Sequence, residues 1–473
     1  MERLKKIAEV LPVKSSAVGK SIFGIGFEKL DRGVFDPTNA YDKVADLGVK
    51  WVRIQSGWAK TEKEKGVYDF SWLDSIVDNL CRRGLTPWLC LCYGNSIYDP
   101  EAGKVFGATG CPPVKNQEQK KAWLDYVAAT VKHYAGKITW FEIWNEPDGK
   151  WGWKHGVNGT EYGNFVIATA QAIKEANPAA KVIGGASCIH KPEWLADMTA
   201  TGAPKFMEAY SYHGYWSSDR ESVYIPRLAR TLCRECNPDI KFIQGETGTQ
   251  SRSDGAGALA GRAWSPLRQA KFLARTLLSH MFEGVFINSY FSCVDMVEAL
   301  NGITGDKSSY MDFGYFGVLE AKFNEEGIAV GDYTPKKSYR TLQVLASVFR
   351  EDYEMKELPL RLFRQESPRF ASLDDHWTEI ISRGFVKPDG SCGLVYWKPV
   401  ELLKSTYESS ISVQAVGMKG TPHLISLLDG SVYEIPDTMM QQVHKDVIIF
   451  NNLPVTDYPL MLTFGNFAET VLL

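Results

Sequence analysis

The chain of 473 residues predicts an α/β fold, a (β/α)8 TIM barrel with an appended C-terminal β-sandwich domain. Three observations lead there. Up to about residue 350, eight short apolar runs spaced roughly 30 to 50 residues apart alternate with amphipathic stretches of helical period. Two of those runs end in a glutamate and then break into Pro or Gly, as a buried strand does when it delivers a carboxylate to a rim. Beyond residue 351 the texture becomes β-rich and punctuated by turn dipeptides. The expected division is therefore 1–350, a catalytic barrel, and 351–473, a β-sandwich accessory domain.

The expected barrel strands are Ser21–Phe27, Lys50–Ile54, Thr86–Cys92, Ile138–Glu146, Lys181–Ala186, Ala209–Tyr215, Lys241–Glu246 and Val285–Phe291. Between them, Phe70–Leu80 has helical apolar spacing, Ser71 as its expected N-cap and Gly84 just past its end. Gln117–Tyr134 and Gly163–Ala176 read as helices for the same reasons. In the C-terminal part, Trp377–Ser382, Cys392–Trp397 and Val447–Phe450 are strand candidates. Turns are expected at Pro388–Gly390, Asp429–Gly430 and Asn451–Asn452.

Composition narrows the function. Lys+Arg at 53 against Asp+Glu at 56 leaves no basic excess, and no basic run stands out. Nucleic acid and anionic membrane are thereby not expected as partners. No segment approaches the roughly 20 apolar residues needed to span a bilayer. Met1 to Lys20 lacks the continuous apolar core of a signal peptide. The nine cysteines are odd in number, and Cys90, Cys92 and Cys293 sit in strand-like runs as small hydrophobes. Cytoplasmic residence is expected. The scattered histidines have no metal-ligand spacing, and Cys233 with Cys236 has no second pair nearby, so neither a metal nor another cofactor is expected. Nothing in the sequence reports oligomeric state.

In barrels of this kind the chemistry gathers at the C-terminal ends of the strands. Strand four ends in Asn145 and Glu146, strand seven in Glu246; two carboxylates so delivered can cleave a glycosidic bond. Glu146 is assigned the acid, its proton retained by burial among Trp144 and Trp151. Glu246 is assigned the attacking carboxylate, kept charged and aimed by Arg53 on strand two and Tyr215 after strand six. Arg53 serves equally well as a core partner of Glu142. Asn145 offers an amide to the sugar 2-hydroxyl. Neighbouring residues suited to a sugar site are Asn95 and Tyr93 after strand three, and His213. Trp58, Tyr290 and Phe291 offer flat faces for a pyranose. Asn145 and Glu146 are adjacent and should face opposite ways in a regular strand, so the strand is expected to end or bulge there.

These motifs resemble clan A of the retaining glycoside hydrolases: Trp-Asn-Glu-Pro closing strand four, a glutamate closing strand seven, arginine on strand two and His-x-Tyr on strand six. The barrel with its β-sandwich, and Tyr68–Trp72 opening a helix, are most similar to glycoside hydrolase family 39. The resemblance implies Glu146 as acid/base, Glu246 as nucleophile, and Arg53, Asn145, His213 and Tyr215 as supporting residues. One departure is Asn288–Phe291, where many clan members place Trp at the end of strand eight. The implied activity is an O-glycosyl hydrolase acting on β-linked glycosides or short oligosaccharides through a covalent glycosyl-enzyme intermediate. Two other readings stay open, a non-catalytic carbohydrate-binding protein on such a barrel and a glycosidase for phosphorylated glycosides. The latter draws on Arg252 and Arg262 in or near the Gly- and Ser-rich stretch after strand seven, which otherwise reads as a lid.

Overall fold

Eight parallel strands close into a barrel in sequence order: β2 (Phe23–Gly26), β3 (Trp51–Gln55), β4 (Thr86–Leu91), β5 (Trp140–Ile143), β6 (Lys181–Ser187), β7 (Ala209–His213), β8 (Lys241–Glu246) and β9 (Ile287–Tyr290). They follow β1 (Lys6–Val10), which lies outside the barrel. The computed structural model describes residues 1, 4–104, 109–216, 218, 221–224, 226–298, 312–364, 379–402 and 404–473. All eight expected strands are present, four of them shorter by two to five residues at one or both ends. The N-terminal half of the barrel is plugged by Trp88, Trp140, Ile183, Ala209, Ile243 and Ile287, so polar groups higher in the barrel stand on a packed apolar floor.

The helices form where amphipathic spacing predicts them, and their caps explain the ends. Gln117–His133 starts behind Asn116, whose side chain accepts from the Gln119 N–H, and Gly159–Ala176 starts behind Asn158 in the same way. The helix Ser71–Arg82 corrects one expectation: Ser71 is its first helical residue, and the Ser71 N–H is satisfied by Asp69 at 3.0 Å. An aspartate two residues upstream does the capping that the serine was expected to do.

The C-terminal strands form two sheets around a shared apolar core that includes Leu394, Tyr396, Val413, Phe450, Leu453 and Leu462. One sheet runs Glu354–Met355, Ile381–Val386, Cys392–Trp397, Leu460–Phe464, Pro422–Ser426, Ser431–Glu434, β1, Thr470–Leu472. The other runs Leu360–Arg364, Glu408–Val416, Val447–Thr456, Met440–His444. The N-terminal strand β1 thus belongs to the sheet otherwise built from residues beyond 350. Pro388–Gly390 and Asp429–Gly430 are turns between paired strands. Asn451–Asn452 is not: it lies inside Val447–Thr456, where the pairing slips and Asn452 takes φ 56°. A left-handed residue absorbs a bulge as well as it makes a hairpin, and the dipeptide alone does not distinguish them. Trp377 and Thr378, part of one expected strand, lie outside the described residues.

The two parts meet along the helix Pro266–Phe282. Its Lys271 ammonium pairs with Asp457 at 2.7 Å, both fully buried, and its Arg275 donates to the Val400 carbonyl at 2.7 Å. Phe282 packs on Trp397 and Phe385 of the sandwich.

Candidate active site

Glu246 ends β8 and His213 ends β7, and a register shift between Tyr212 and His213 brings the two opposite each other. Glu146 comes from the turn after β5. That strand stops at Ile143, and Trp144 and Glu146 then adopt φ 68° and 51°. These left-handed residues break the alternation of a strand, so Asn145 and Glu146 both reach the same cavity, as the parity argument required. Trp144 turns the other way, into a core with Trp123, Trp153 and Phe165. A carboxylate oxygen of Glu146, one of Glu246 and a ring nitrogen of His213 all lie within 4.8 Å of one another. Glu146 and Glu246 border a cavity of about 740 Å³, and His213 sits buried behind them.

The two carboxyl groups sit in unlike surroundings. Glu246 is gripped by the Arg53 guanidinium, accepts from Tyr215 Oη at 2.8 Å, and has His213 Nδ1 at 3.6 Å. Burial alone would favour its neutral form. His213, Arg53 and the tyrosine hydrogen bond outweigh burial and hold the carboxyl below its ordinary value. Glu146 accepts from Trp151 Nε1 and meets His213 Nδ1 at 2.9 Å. His213 itself is fully buried, which opposes its charge, yet Glu246 and the contact with Glu146 raise its pKa above the ordinary imidazole value. All three groups are already engaged by their neighbours, an arrangement suited to moving protons.

Arg53, wholly buried, is the hub. Its Nε donates to Glu142 at 2.6 Å and its Nη2 to Asn145 Oδ1 at 2.8 Å, while Nη1 serves Glu246. Arg53 thus makes both contacts that the sequence offered, one to the core partner Glu142 and one to Glu246. Tyr215, Asn145 and Phe291 line the cavity as expected.

Three expected contacts are not made. Trp58 is 1 % exposed and stacked among Tyr98, Trp123 and Tyr126, its indole N–H given to Glu62; it is core, with no face for a sugar. Asn95 is buried with its Nδ2 on the Glu62 carbonyl at 2.8 Å, where it ties a loop. Tyr290 is fully buried and its hydroxyl accepts from the Thr249 N–H, because alternation on β9 turns it away from the cavity. Arg252 pairs with Asp254 at 2.6 Å over the Tyr315 ring and does not border the cavity, which removes the support for a phosphate site.

Other residues complete the wall without having been singled out. Glu28, Lys29 and Arg32 follow β2, Gln55 ends β3, Trp216 follows β7, and Glu298 lies beyond β9. Arg32 donates to Gln55 and stacks on Tyr93, while Lys29 pairs with Glu298 at 3.2 Å. Glu28 had a readable signal, since it closes an apolar run in the manner of Glu146 and Glu246. Glu298 had none; its place depends on how the chain returns after the last barrel strand.

The fold is similar to that of solved glycoside hydrolases, as the resemblance to clan A implies. Within that clan the chain resembles family 39, and the model of "Glycosyl hydrolases family 39" matches residues 41–225. A β-xylosidase of Geobacillus stearothermophilus is 30% identical over 141 residues, 28% of this chain and 27% of that one. The match thus spans about a quarter of that curated relative's length. Among solved structures, a family 39 glycoside hydrolase from Bacteroides cellulosilyticus WH2 superposes with TM-score 0.64 at 17% identity, covering 94% of this chain and 81% of that one. A monomeric β-xylosidase from Caulobacter crescentus CB15 gives TM-score 0.59 at 16% identity, with 97% and 98% covered. No described helix is long and apolar enough to cross a membrane.

Proposed function

We propose that the protein is a retaining glycoside hydrolase that cleaves β-linked glycosides or short oligosaccharides by double displacement. The observation that carries this is the close approach of two unlike carboxyl groups, with oxygens of Glu146 and Glu246 within 4.8 Å of each other at one cavity. Retaining enzymes hold their carboxyl groups about 5 to 5.5 Å apart, whereas inverting ones need about 6.5 to 9.5 Å to admit a water between them.

Glu246, ionised and aimed by Arg53 and Tyr215, attacks the anomeric carbon. Glu146 gives its proton to the departing glycosidic oxygen, and then takes one from the water that hydrolyses the glycosyl ester. Asn145 has its Oδ1 occupied by Arg53, which leaves the amide N–H groups for the 2-hydroxyl of the sugar. Trp216 and Phe291 offer the apolar faces that Trp58 and Tyr290 do not. The loop after β4 and the Gly-rich stretch after β8 supply Thr109, Gly257 and Ala258 to the wall, which favours small substrates and exo action.

The same reading includes the division into a catalytic barrel, 1–350, and a sandwich, 351–473, with β1 added to the latter. It also includes cytoplasmic residence, which suits nine free thiols.

The test is nitrophenol release from a panel of aryl glycosides, β-xylosides first, with covalent capture by an activated 2-fluoroglycoside. Glu246→Ala is expected to abolish turnover and labelling. Glu146→Gln is expected to slow substrates with poor leaving groups by about 10²–10⁴-fold and dinitrophenyl substrates far less. Labelling of any residue other than Glu246 rejects the mechanism. A non-catalytic sugar-binding protein would release no nitrophenol from any member of the panel.

A further inference from the structure

Glu28, two residues past the end of β2, lies at the cavity wall, is 2 % exposed, and has no place in the two-carboxylate mechanism. Its Oε1 lies 3.2 Å from Arg53 Nη1, the same nitrogen that serves Glu246, so both carboxyl groups crowd one edge of the guanidinium. That Oε1 has no hydrogen-bond partner when Glu28 is treated as an acceptor. Gly26 makes room for the carboxyl: a Cβ there would stand 3.0 Å from Oε1 and 3.3 Å from the Phe291 ring.

The groups facing Glu28 are Arg53 on the adjacent β3 and, from across the barrel, His213 on β7 and Glu246 on β8, with Tyr215 and Cys293 beyond them. Glu142 is drawn in through the other edge of Arg53, and Trp88 Nε1 reaches it at 3.3 Å. Lys29, next in the chain, turns away to the Val297 carbonyl and Glu298. Arg53 and His213 are therefore the cations set against Glu28, Glu142, Glu246 and Glu146. Glu142 and Glu246 already engage the Arg53 guanidinium. An ionised Glu28 would have to share a buried cation with two other anions, an arrangement that burial penalises heavily.

We propose that Glu28 is a positioning residue for Glu246: in its neutral form it turns its unpartnered oxygen into a hydroxyl donor toward the Glu246 carboxylate and leaves the charge of Arg53 to Glu142 and Glu246. The chemistry agrees. Burial, then the nearby Glu246, push the Glu28 carboxyl up to about 8 against the pull of Arg53 and His213. A hydrogen bond from Glu28 is among the influences that keep Glu246 acidic. The kinetic consequence rests on the retaining-hydrolase reading; the protonation state does not.

The test has two arms, each on the full chain. An infrared pH titration of wild type is expected to show a neutral-carboxyl C=O band that persists at pH 7 and disappears near pH 8. The band is expected to be missing in Glu28→Gln and retained in Glu146→Gln. In the second arm, the pH dependence of labelling by an activated 2-fluoroglycoside, whose leaving group needs no acid, reports the ionisation of Glu246. Its acid limb is expected to stay in place in Glu28→Gln, where the amide N–H still donates, and to move to higher pH in Glu28→Met. An infrared difference at pH 7 made of carboxylate bands overturns the proposal. So does an acid limb that falls in Glu28→Gln, the sign of a repelling anion removed, or one that does not move in Glu28→Met. Should no glycoside label the protein, the hydrolase reading fails while the infrared arm still decides the state of Glu28.

Discussion

Two tryptophans illustrate how side-chain identity underdetermines role. Trp58 and Trp216 both follow barrel strands, yet one is sealed under Tyr98, Trp123 and Tyr126 while the other borders the cavity near His190. Trp58→Ala is expected to cost about 3–5 kcal/mol of stability, read from urea unfolding, by opening a large hole in the core. Trp216→Ala is expected to leave the urea midpoint nearly unchanged and to raise KM for aryl glycosides. Tyr215→Phe removes a hydrogen bond that holds Glu246 acidic, so the acid limb of kcat/KM should move to higher pH. The raised pKa of Glu28 has a stability consequence of definite sign. The folded protein binds that proton more tightly than the unfolded chain does, so the contribution is full below the ordinary value of 4.5 and is lost as pH rises toward about 8. The Tm of Glu28→Gln relative to wild type should therefore climb between pH 5 and pH 9.

At the scale of elements, the turn after β5 decides the site. Its sequence advertised a strand-end carboxylate, but not the pair of left-handed residues that lets Asn145 and Glu146 converge. Those conformations are held from outside. The Trp144 indole N–H is fixed on the Gly152 carbonyl at 2.8 Å, and Gly152 packs so closely under residues 145 and 146 that a Cβ there would collide with the Glu146 carbonyl oxygen. Gly152→Ala is accordingly expected to destabilise the protein by about 1–3 kcal/mol and to lower kcat more than it raises KM, since it displaces the acid rather than the sugar wall. Strand positions were legible because burial on both faces demands continuous apolar runs. Placement beside the two glutamates or at the cavity was legible for Arg53, Asn145, His213, Tyr215 and Phe291. Placement was not legible for Trp58, Asn95 and Tyr290, where the loop path or strand parity turns the side chain inward. Glu28 obeyed the same rule that revealed Glu146 and Glu246, and only its lack of a following Pro or Gly set it apart.

For the molecule as a whole, the barrel and the sandwich are joined by contacts that neither part could satisfy alone. Lys271 and Asp457 are buried opposite charges 2.7 Å apart, and β1 carries the chain's N-terminal end into a sheet made mainly of its C-terminal end. Lys271→Met should cost about 3–5 kcal/mol by stranding the aspartate, and Lys271→Met with Asp457→Leu should recover most of that loss. Thermal unfolding followed at barrel and sandwich tryptophans should give one coincident transition in wild type and separate transitions in Lys271→Met.

By itself the sequence determined the barrel, the β-rich C-terminal part and the two glutamates that face each other, because apolar periodicity and chain breaks are local properties written along the chain. The tertiary structure alone decided which aromatic rings meet the cavity, that Arg53 serves Glu142 and Glu246 at once, and that Glu28 joins them. Those outcomes depend on strands far apart in sequence being brought within a hydrogen bond of one another, where burial and shared charge, rather than residue type, set what each group can do.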